Sequence, residues 1–363
     1  MRSFNKNSFP RNLFWIVGVI GALVIVKSGF ERVRSEQALQ GFQQKARTFS
    51  SDGQRRNSTV RRTPEQKRVW RDQQRRFARA WVTRREKSSQ KELLDYLDDS
   101  DGYFREKAVR ALGRLELAEA ESPLRALAAK THDIKTAEEW ESIKAVPLVP
   151  LNLAIARIQS KNLNGQKKLD ALAQSVGIEW KDIVRLSQRF YTPIIPGREP
   201  PRPRPTKAER QLMLEVVDVL YTMKKKGEDI SPWEKQLTLP PAYKVILESA
   251  DLSPEKEVTF ILDYFASLKV LKGDSDGLLS HLVGVKDAKK TIFSYLPMAE
   301  LNPKIDPPTG YEMLFYAAAS FGDQTAIPLI ARFESSEDGY VSATAKEFGE
   351  ALAKNEEVIP DLP

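Results

Sequence analysis

Cysteine is missing altogether, and histidine occurs twice, as His132 and His281. The first absence removes disulfides, thiolate metal sites and cysteine nucleophiles. The second leaves too few imidazoles for a zinc site built on histidine. A glycine-rich phosphate loop is missing too, since the nearest stretch, Gly284 to Thr291 (GVKDAKKT), lacks the second glycine. Asp274-x-Asp276-Gly277 and Glu334 to Gly339 have the composition of calcium loops. With Gly339 at the sixth position, however, the twelfth is Ala345, so no bidentate glutamate closes that site. Both read as turns between helices, where Asp, Ser and Gly serve the backbone. Neither histidine has a partner at a catalytic spacing, and the carboxylates form no recognisable pair. No catalytic, cofactor-binding or metal-ligating residue is expected, and the chain reads as a protein that is not an enzyme. A site assembled from distant segments would leave no such signature.

What is present is charge, unevenly spread. The 57 basic and 49 acidic residues give a net charge of +8. Residues 1–87 hold 21 of the basic and 6 of the acidic ones. The remainder is mildly acidic, so the basic character belongs to one N-terminal segment with its own task. A content of 41% hydrophobic residues over 363 positions is enough for a real core, in about two domains by length.

Leu13 to Val26 (LFWIVGVIGALVIV) is an unbroken apolar run of 14 residues, preceded by Arg2, Lys6 and Arg11 and followed by Lys27. At about 1.5 Å per residue it is short for a hydrocarbon layer of about 30 Å. Phe9, Phe30 and a snorkelling Lys27 can extend it. Three readings stand: an uncleaved single-span anchor, which the flanks favour, a cleaved secretory signal, or a buried helix. Cleavage after Ala22 would put Ile20 at −3, and cleavage after Gly29 would put Lys27 there. Cleavage after Ser28, with Val26 at −3, is the tolerable one. Basic residues on both sides oppose each other in setting orientation. The absence of acid from the short N-tail favours a body on the extracytoplasmic side of the membrane.

Arg55 to Lys87 carries 13 basic residues against Glu65, Asp72 and Glu86. Its first part (QRRNSTVRRTP) has no apolar period and reads as a tether. From Glu65 onward Trp70, Phe77 and Trp81 fall on one helical face, broadened by Val69, Ala80 and Val82. Arg71, Arg75, Arg76, Arg79, Arg84 and Arg85 take much of the rest. Such a basic amphipathic helix can lie on an anionic membrane. It can bind nucleic acid through phosphates, the less favoured partner here. It can also pack its aromatic residues on the body as a cap.

One structural sentence occurs twice. Leu97 to Phe104 (LDDSDGYF) leads to Ala108, Ala111 and Gly113; Phe333 to Val341 (FESSEDGYV) leads to Ala345, Phe348 and Gly349. Each reads as the end of one helix, an acidic Asp-Gly-Tyr turn, and a second helix with small residues inside. Self-similarity of this kind marks a helical repeat, because one helical hairpin cannot bury its own apolar face. Phe104-Arg105-x-x-Ala108-x-x-Ala111-Leu112-Gly113-x-Leu115, followed by Glu119, Ala120 and Leu124, resembles the HEAT-like repeats of the phycobilisome-lyase type. Ala317 to Asp323, with Ala326 to Ile330, is similar to the joint of such a repeat. A degenerate copy is placed at Ala154 to Ile158 with Leu169 and Leu172. The matches cover roughly a quarter of the chain. The resemblance implies an α-solenoid scaffold and protein–protein contact. It does not imply lyase activity, as no residue matches a chromophore site.

Between the copies the chain stays helical. Thr206-x-x-Glu209 is a capping box, Ser231-Pro232 and Ser253-Pro254 are helix starts, and Thr309-x-x-Glu312 opens the last repeat. Sustained period-two alternation is lacking, so the expected fold is all-α. Pro193 to Pro205 holds six of the 22 prolines and must be extended. It is either a stiff connector between two lobes or a docking peptide using Pro200, Arg202, Pro203 and Arg204. The expected division is an anchor or signal over 1–30 and a basic tether over 31–64. The basic helix and N-terminal HEAT-like lobe follow over 65–192, then the Pro-rich linker over 193–206 and a C-terminal helical lobe over 207–363. The expected function is a single-pass, membrane-anchored scaffold for an unidentified protein partner. The alternative is an anionic-polymer module acting through 55–87.

Overall fold

The two Asp-Gly-Tyr segments fold alike. In each, a short 3₁₀ turn (Tyr96–Asp98 or Arg332–Ser335) ends on an extended residue, Asp99 or Ser336. The side chain of that residue accepts from a backbone N–H two positions on, Asp99 from Asp101 at 2.7 Å and Ser336 from Asp338 at 3.3 Å. Asp101 and Asp338 are then the N-caps of the next helices, each accepting from the tyrosine N–H at 2.9 Å. An aspartate there satisfies a backbone donor that the helix cannot.

The computed structural model describes residues 63–132, 134, 145–190, 205–268, 275–299, 309–321 and 323–354. Among them the regular structure is helical, with no strand. In chain order the helices are α1 (Pro64–Val82), α2 (Lys87–Asp95), α3 (Gly102–Arg114), α4 (Glu121–His132), α5 (Leu148–Gln159), α6 (Gly165–Ser175), α7 (Trp180–Phe190) and α8 (Lys207–Lys225). They continue with α9 (Ser231–Glu234), α10 (Pro241–Ser249), α11 (Pro254–Ala266), α12 (Ser275–Gly284), α13 (Ala288–Ala299), α14 (Thr309–Ala319), α15 (Ile327–Ala331) and α16 (Gly339–Ala353).

Packing largely follows chain order. The α1–α3 group leans on α5, which is flanked by α4 and α6. Helix α8 touches α5, α6 and α7 and passes the core to α10, α11 and α12, and the chain closes with α13–α16. Buried apolar residues run in one cluster from Phe77 to Leu352. The stretches on either side of the Pro-rich segment therefore share a core. One contact departs from chain order, because α1 also touches α12.

Local starts follow the sequence closely. Thr63 and Thr206 form capping boxes with Gln66 and Glu209. Two starts are shifted by a residue. Ser231 is already helical, its N–H capped by Asp229 at 2.9 Å, and Thr309 is the first residue of α14 rather than its cap.

No helix among the described residues is long and apolar enough to cross a membrane. The apolar run Leu13 to Val26 lies outside the described residues, as do most of the 31–64 tether and the Pro-rich stretch with Pro200, Arg202, Pro203 and Arg204.

Candidate functional site

Helix α1 turns its aromatic face inward. Phe77 and Trp81 are 4% exposed and Trp70 is half-buried. Phe77 meets Tyr96 edge-on at 5.2 Å, and Trp70 lies 5.5 Å from Tyr103 and 6.0 Å from Phe104. Contact of this helix with a lipid or a polyanion thus falls to its arginines. Arg68, Arg76, Arg79 and Arg85 are exposed, and Arg75 pairs with Asp72 at 3.1 Å. The Arg71 side chain lies outside the described set. Arg84 behaves differently from its neighbours.

Arg84 sits in the turn between α1 and α2. That turn is held by Thr83 N–H to Arg79 O at 2.9 Å, Glu86 N–H to Thr83 O at 2.8 Å, and Gln90 Nε2 donating to the Arg84 carbonyl at 3.1 Å. The guanidinium lies 4.4 Å from the centre of the Trp81 ring and donates to Trp81 O at 3.0 Å. Its other terminal nitrogen donates to the carbonyl of Gly284, 200 residues away at the end of α12. A Cβ at Gly284 would stand 3.0 Å from that nitrogen, so glycine leaves room for the approach. Burial, with Arg85 beside it, lowers the Arg84 pKa to about 10.

The Arg84–Gly284 contact lies at the edge of a cavity of about 290 Å³ between α1, α3 and α5 on one side and α8, α11 and α12 on the other. A second hollow of about 540 Å³ lies against the same turn and the loop after Gly284. In that loop Asp287 adopts a left-handed backbone (φ 60°), which is strained for a residue with a side chain.

Helix α8 runs along the cavity floor. Leu212, Val216, Val217, Leu220 and Met223 face the apolar core. The polar stripe Glu215, Asp218, Tyr221 and Lys225 recurs at helical spacing and meets charges from four other elements. Arg157 of α5, 2% exposed, donates to Glu215 Oε2 at 2.7 Å and to Asp218. Arg114 of α3 donates to Glu215 Oε1 at 3.2 Å and to Ser280 Oγ at 3.5 Å. Burial works against ionisation of Asp218, but Arg157 and Arg114 outweigh it and hold the carboxyl below its usual range.

A second hub lies further along α8. Glu257 of α11, 1% exposed, accepts from Tyr221 OH at 2.6 Å and from Lys225 Nζ at 3.1 Å. His281 Nε2 lies 3.0 Å from the same carboxylate, with its ring edge-on to Tyr221 at 4.5 Å. Burial pushes the Glu257 pKa up, and the hydrogen bonds from His281 and Tyr221 reverse this to a net lowering. The carboxylate–imidazole contact is one that positions a proton. Here Tyr221 and Lys225 hold the carboxylate as well, which fixes its position. Sequence spacing gave His281 no partner, because Glu257 lies 24 residues away on another helix. His132 is exposed, at the end of α4.

Compared with known protein families, curated proteins and solved structures, the chain matches none. Among the described residues, no group of three or more His, Asp and Glu side chains is disposed to hold a metal ion.

Proposed function

We propose that the chain is a membrane-anchored, non-enzymatic helical-repeat scaffold that holds a protein partner at a membrane or cell envelope. The supporting observation is the recurrence of one joint at both ends of a shared core: 3₁₀ turn, aspartate cap, and a helix with small inner residues. Repeated hairpins of this kind build an α-solenoid of HEAT-like units, whose long faces suit binding to other macromolecules. In this proposal Leu13 to Val26 is the uncleaved span, the body lies on the extracytoplasmic side, and the polar cleft under α8 is structural.

The test is made on the full chain in cells. A C-terminal tag cleaved by protease with the inner membrane intact, carbonate-resistant sedimentation lost on deleting 13–26, and a stoichiometric partner surviving mild detergent extraction are the expected results. A body that remains soluble with 13–26 present, or that purifies alone after in-cell crosslinking, would overturn the proposal.

One observation favours a second reading, an anionic-polymer module. With Trp70, Phe77 and Trp81 turned inward, α1 presents Arg68, Arg76 and Arg79 to solvent, and the basic tether precedes it in sequence. An anionic membrane is the favoured surface and nucleic acid the less favoured. Binding of anionic vesicles should fall steeply with salt and be lost when Arg76 and Arg79 become Gln. Salt-insensitive binding would sink this reading.

A further inference from the structure

The cavity under α8 has more cation than its carboxylates neutralise. Six basic side chains line it against two acidic ones, Asp218 and Glu257. Arg114, Arg157 and Lys225 are engaged by Glu215, Asp218 and Glu257. Arg84, Arg85 and Lys286 are not: among the described residues none of the three has a carboxylate partner. All three line both hollows, one on each side of the Arg84–Gly284 contact.

Arg84 is the informative member. It is half-buried, and charge drawn partly out of water is costly unless an anion or several acceptors face it; Arg157 has two carboxylates. Arg84 instead has two carbonyl oxygens and the Trp81 ring face, and Asp218 acts on it only through its field, without a salt bridge. The α1–α2 turn fixes its backbone, so the guanidinium is held in place without an anion. Arg85 and Lys286 are exposed at the rim, where long side chains can reach one.

We infer that this mouth between the α1–α2 turn and the loop after α12 binds a phosphate group, with Arg84 as the fixed ligand and Arg85 and Lys286 as closing ones. A planar guanidinium fork with flanking cations matches tetrahedral oxyanion geometry. The lowered Arg84 pKa fits the same picture: burial first and Arg85 second disfavour its charge, and an incoming dianion would offset both. The group can come as free phosphate or as the head of a small phosphorylated molecule whose remainder fills the 290 Å³ cavity. The inference stands apart from the scaffold proposal and uses none of its premises.

The experiment is titration calorimetry of the full chain at fixed ionic strength, with inorganic phosphate and glycerol 3-phosphate as probes and chloride as reference. Saturable binding of phosphate over chloride is expected. Arg84→Gln should weaken it about tenfold or more, as loss of a charge-assisted contact does. Lys286→Gln, an exposed change that leaves the core untouched, should weaken it about threefold. Lys167→Gln, exposed on α6 and away from both hollows, should leave it unchanged. Tighter binding of the ester than of inorganic phosphate identifies a phosphorylated molecule as the ligand, and equal binding identifies the free anion. If Arg84→Gln does not fold, Arg84→Lys and Lys286→Gln carry the test. Absence of saturable binding, or equal affinity in wild type, Arg84→Lys and Lys286→Gln, overturns the inference.

Discussion

Gly113 of α3 packs directly on Ala154 of α5: a Cβ added at Gly113 would lie 2.6 Å from Ala154 Cα and 2.7 Å from its Cβ. Backbone stands in the way, so no side chain can swing aside. Gly113→Ala should therefore cost about 1–3 kcal/mol, the usual range for overpacking. Gly349, in the matching helix of the second copy, has only Glu334 Oε1 within 4 Å, at 3.6 Å. There Gly349→Ala should add about 0.5–1 kcal/mol through helix propensity alone. Urea midpoints of the two variants should move in opposite directions, and a shared direction would mean that the close approach is absent.

Capping gives a symmetrical expectation. Asp101→Ala and Asp338→Ala each remove the acceptor for a helix-starting tyrosine N–H. Each should cost about 1 kcal/mol. Asn at either position should recover most of the loss, since its side-chain oxygen fills the same role. Chemical denaturation of the four variants checks this.

Arg157 is the costliest charge to disturb. Its removal leaves Glu215 with Arg114 alone and takes from Asp218 its salt-bridge partner. Arg157→Leu should destabilise by about 3–5 kcal/mol. Adding Glu215→Leu should cost less than the two single changes summed, because the second change removes an anion whose shorter contact the first had already taken. Strict additivity in a double-mutant cycle would argue against the network.

Stability should fall on acidification through the same groups. Asp218 and Glu257 have folded pKa values below their unfolded ones. Their contribution is complete above the unfolded values of about 4 and is lost as pH falls through the lower folded values. Denaturant midpoints should drop between pH 5 and pH 3, and less so in Glu257→Gln, which has no proton to take up there. An unchanged pH slope in that variant would place the acid sensitivity elsewhere.

Helix α1 belongs to the body. Phe77→Ala should cost about 3–5 kcal/mol, as a buried aromatic does. Arg76→Gln and Arg79→Gln, one and two residues from it along the exposed face, should stay within about 0.5 kcal/mol. Thermal unfolding separates the two classes. A small effect of Phe77→Ala would detach α1 from the core.

Much of the helical framework was readable from residues alone, because its causes are local. The capping box at Thr206, the acidic Asp-Gly-Tyr turns before α3 and α16, and the apolar stripe of α8 all lie within a few residues of the bonds they make. The starts at Ser231 and Thr309 were displaced by one residue, since a cap is chosen among neighbouring oxygens and Asp229 competed successfully at the first. The arginines of α1 read as one class in the sequence. Packing divided them, drawing a half-buried Arg84 onto Gly284 while leaving Arg76 and Arg79 in water.

The sequence by itself determined that this is an all-helical chain with a repeated Asp-Gly-Tyr joint and a basic segment near its start. Those properties follow from periodicity, turn chemistry and composition, all of which act over short distances. Only the tertiary structure decided what the polar side of α8 faces. Glu215, Asp218, Tyr221 and Lys225 have the spacing of an ordinary solvated stripe. They became the floor of a charged cavity because α1, α3, α5, α11 and α12, distant in the chain, bring Arg84, Arg114, Arg157, Glu257 and His281 over them. No local pattern encodes which polar face will be covered. That depends on which helices the shared core draws together, and on whether the charges they carry find partners once water has left.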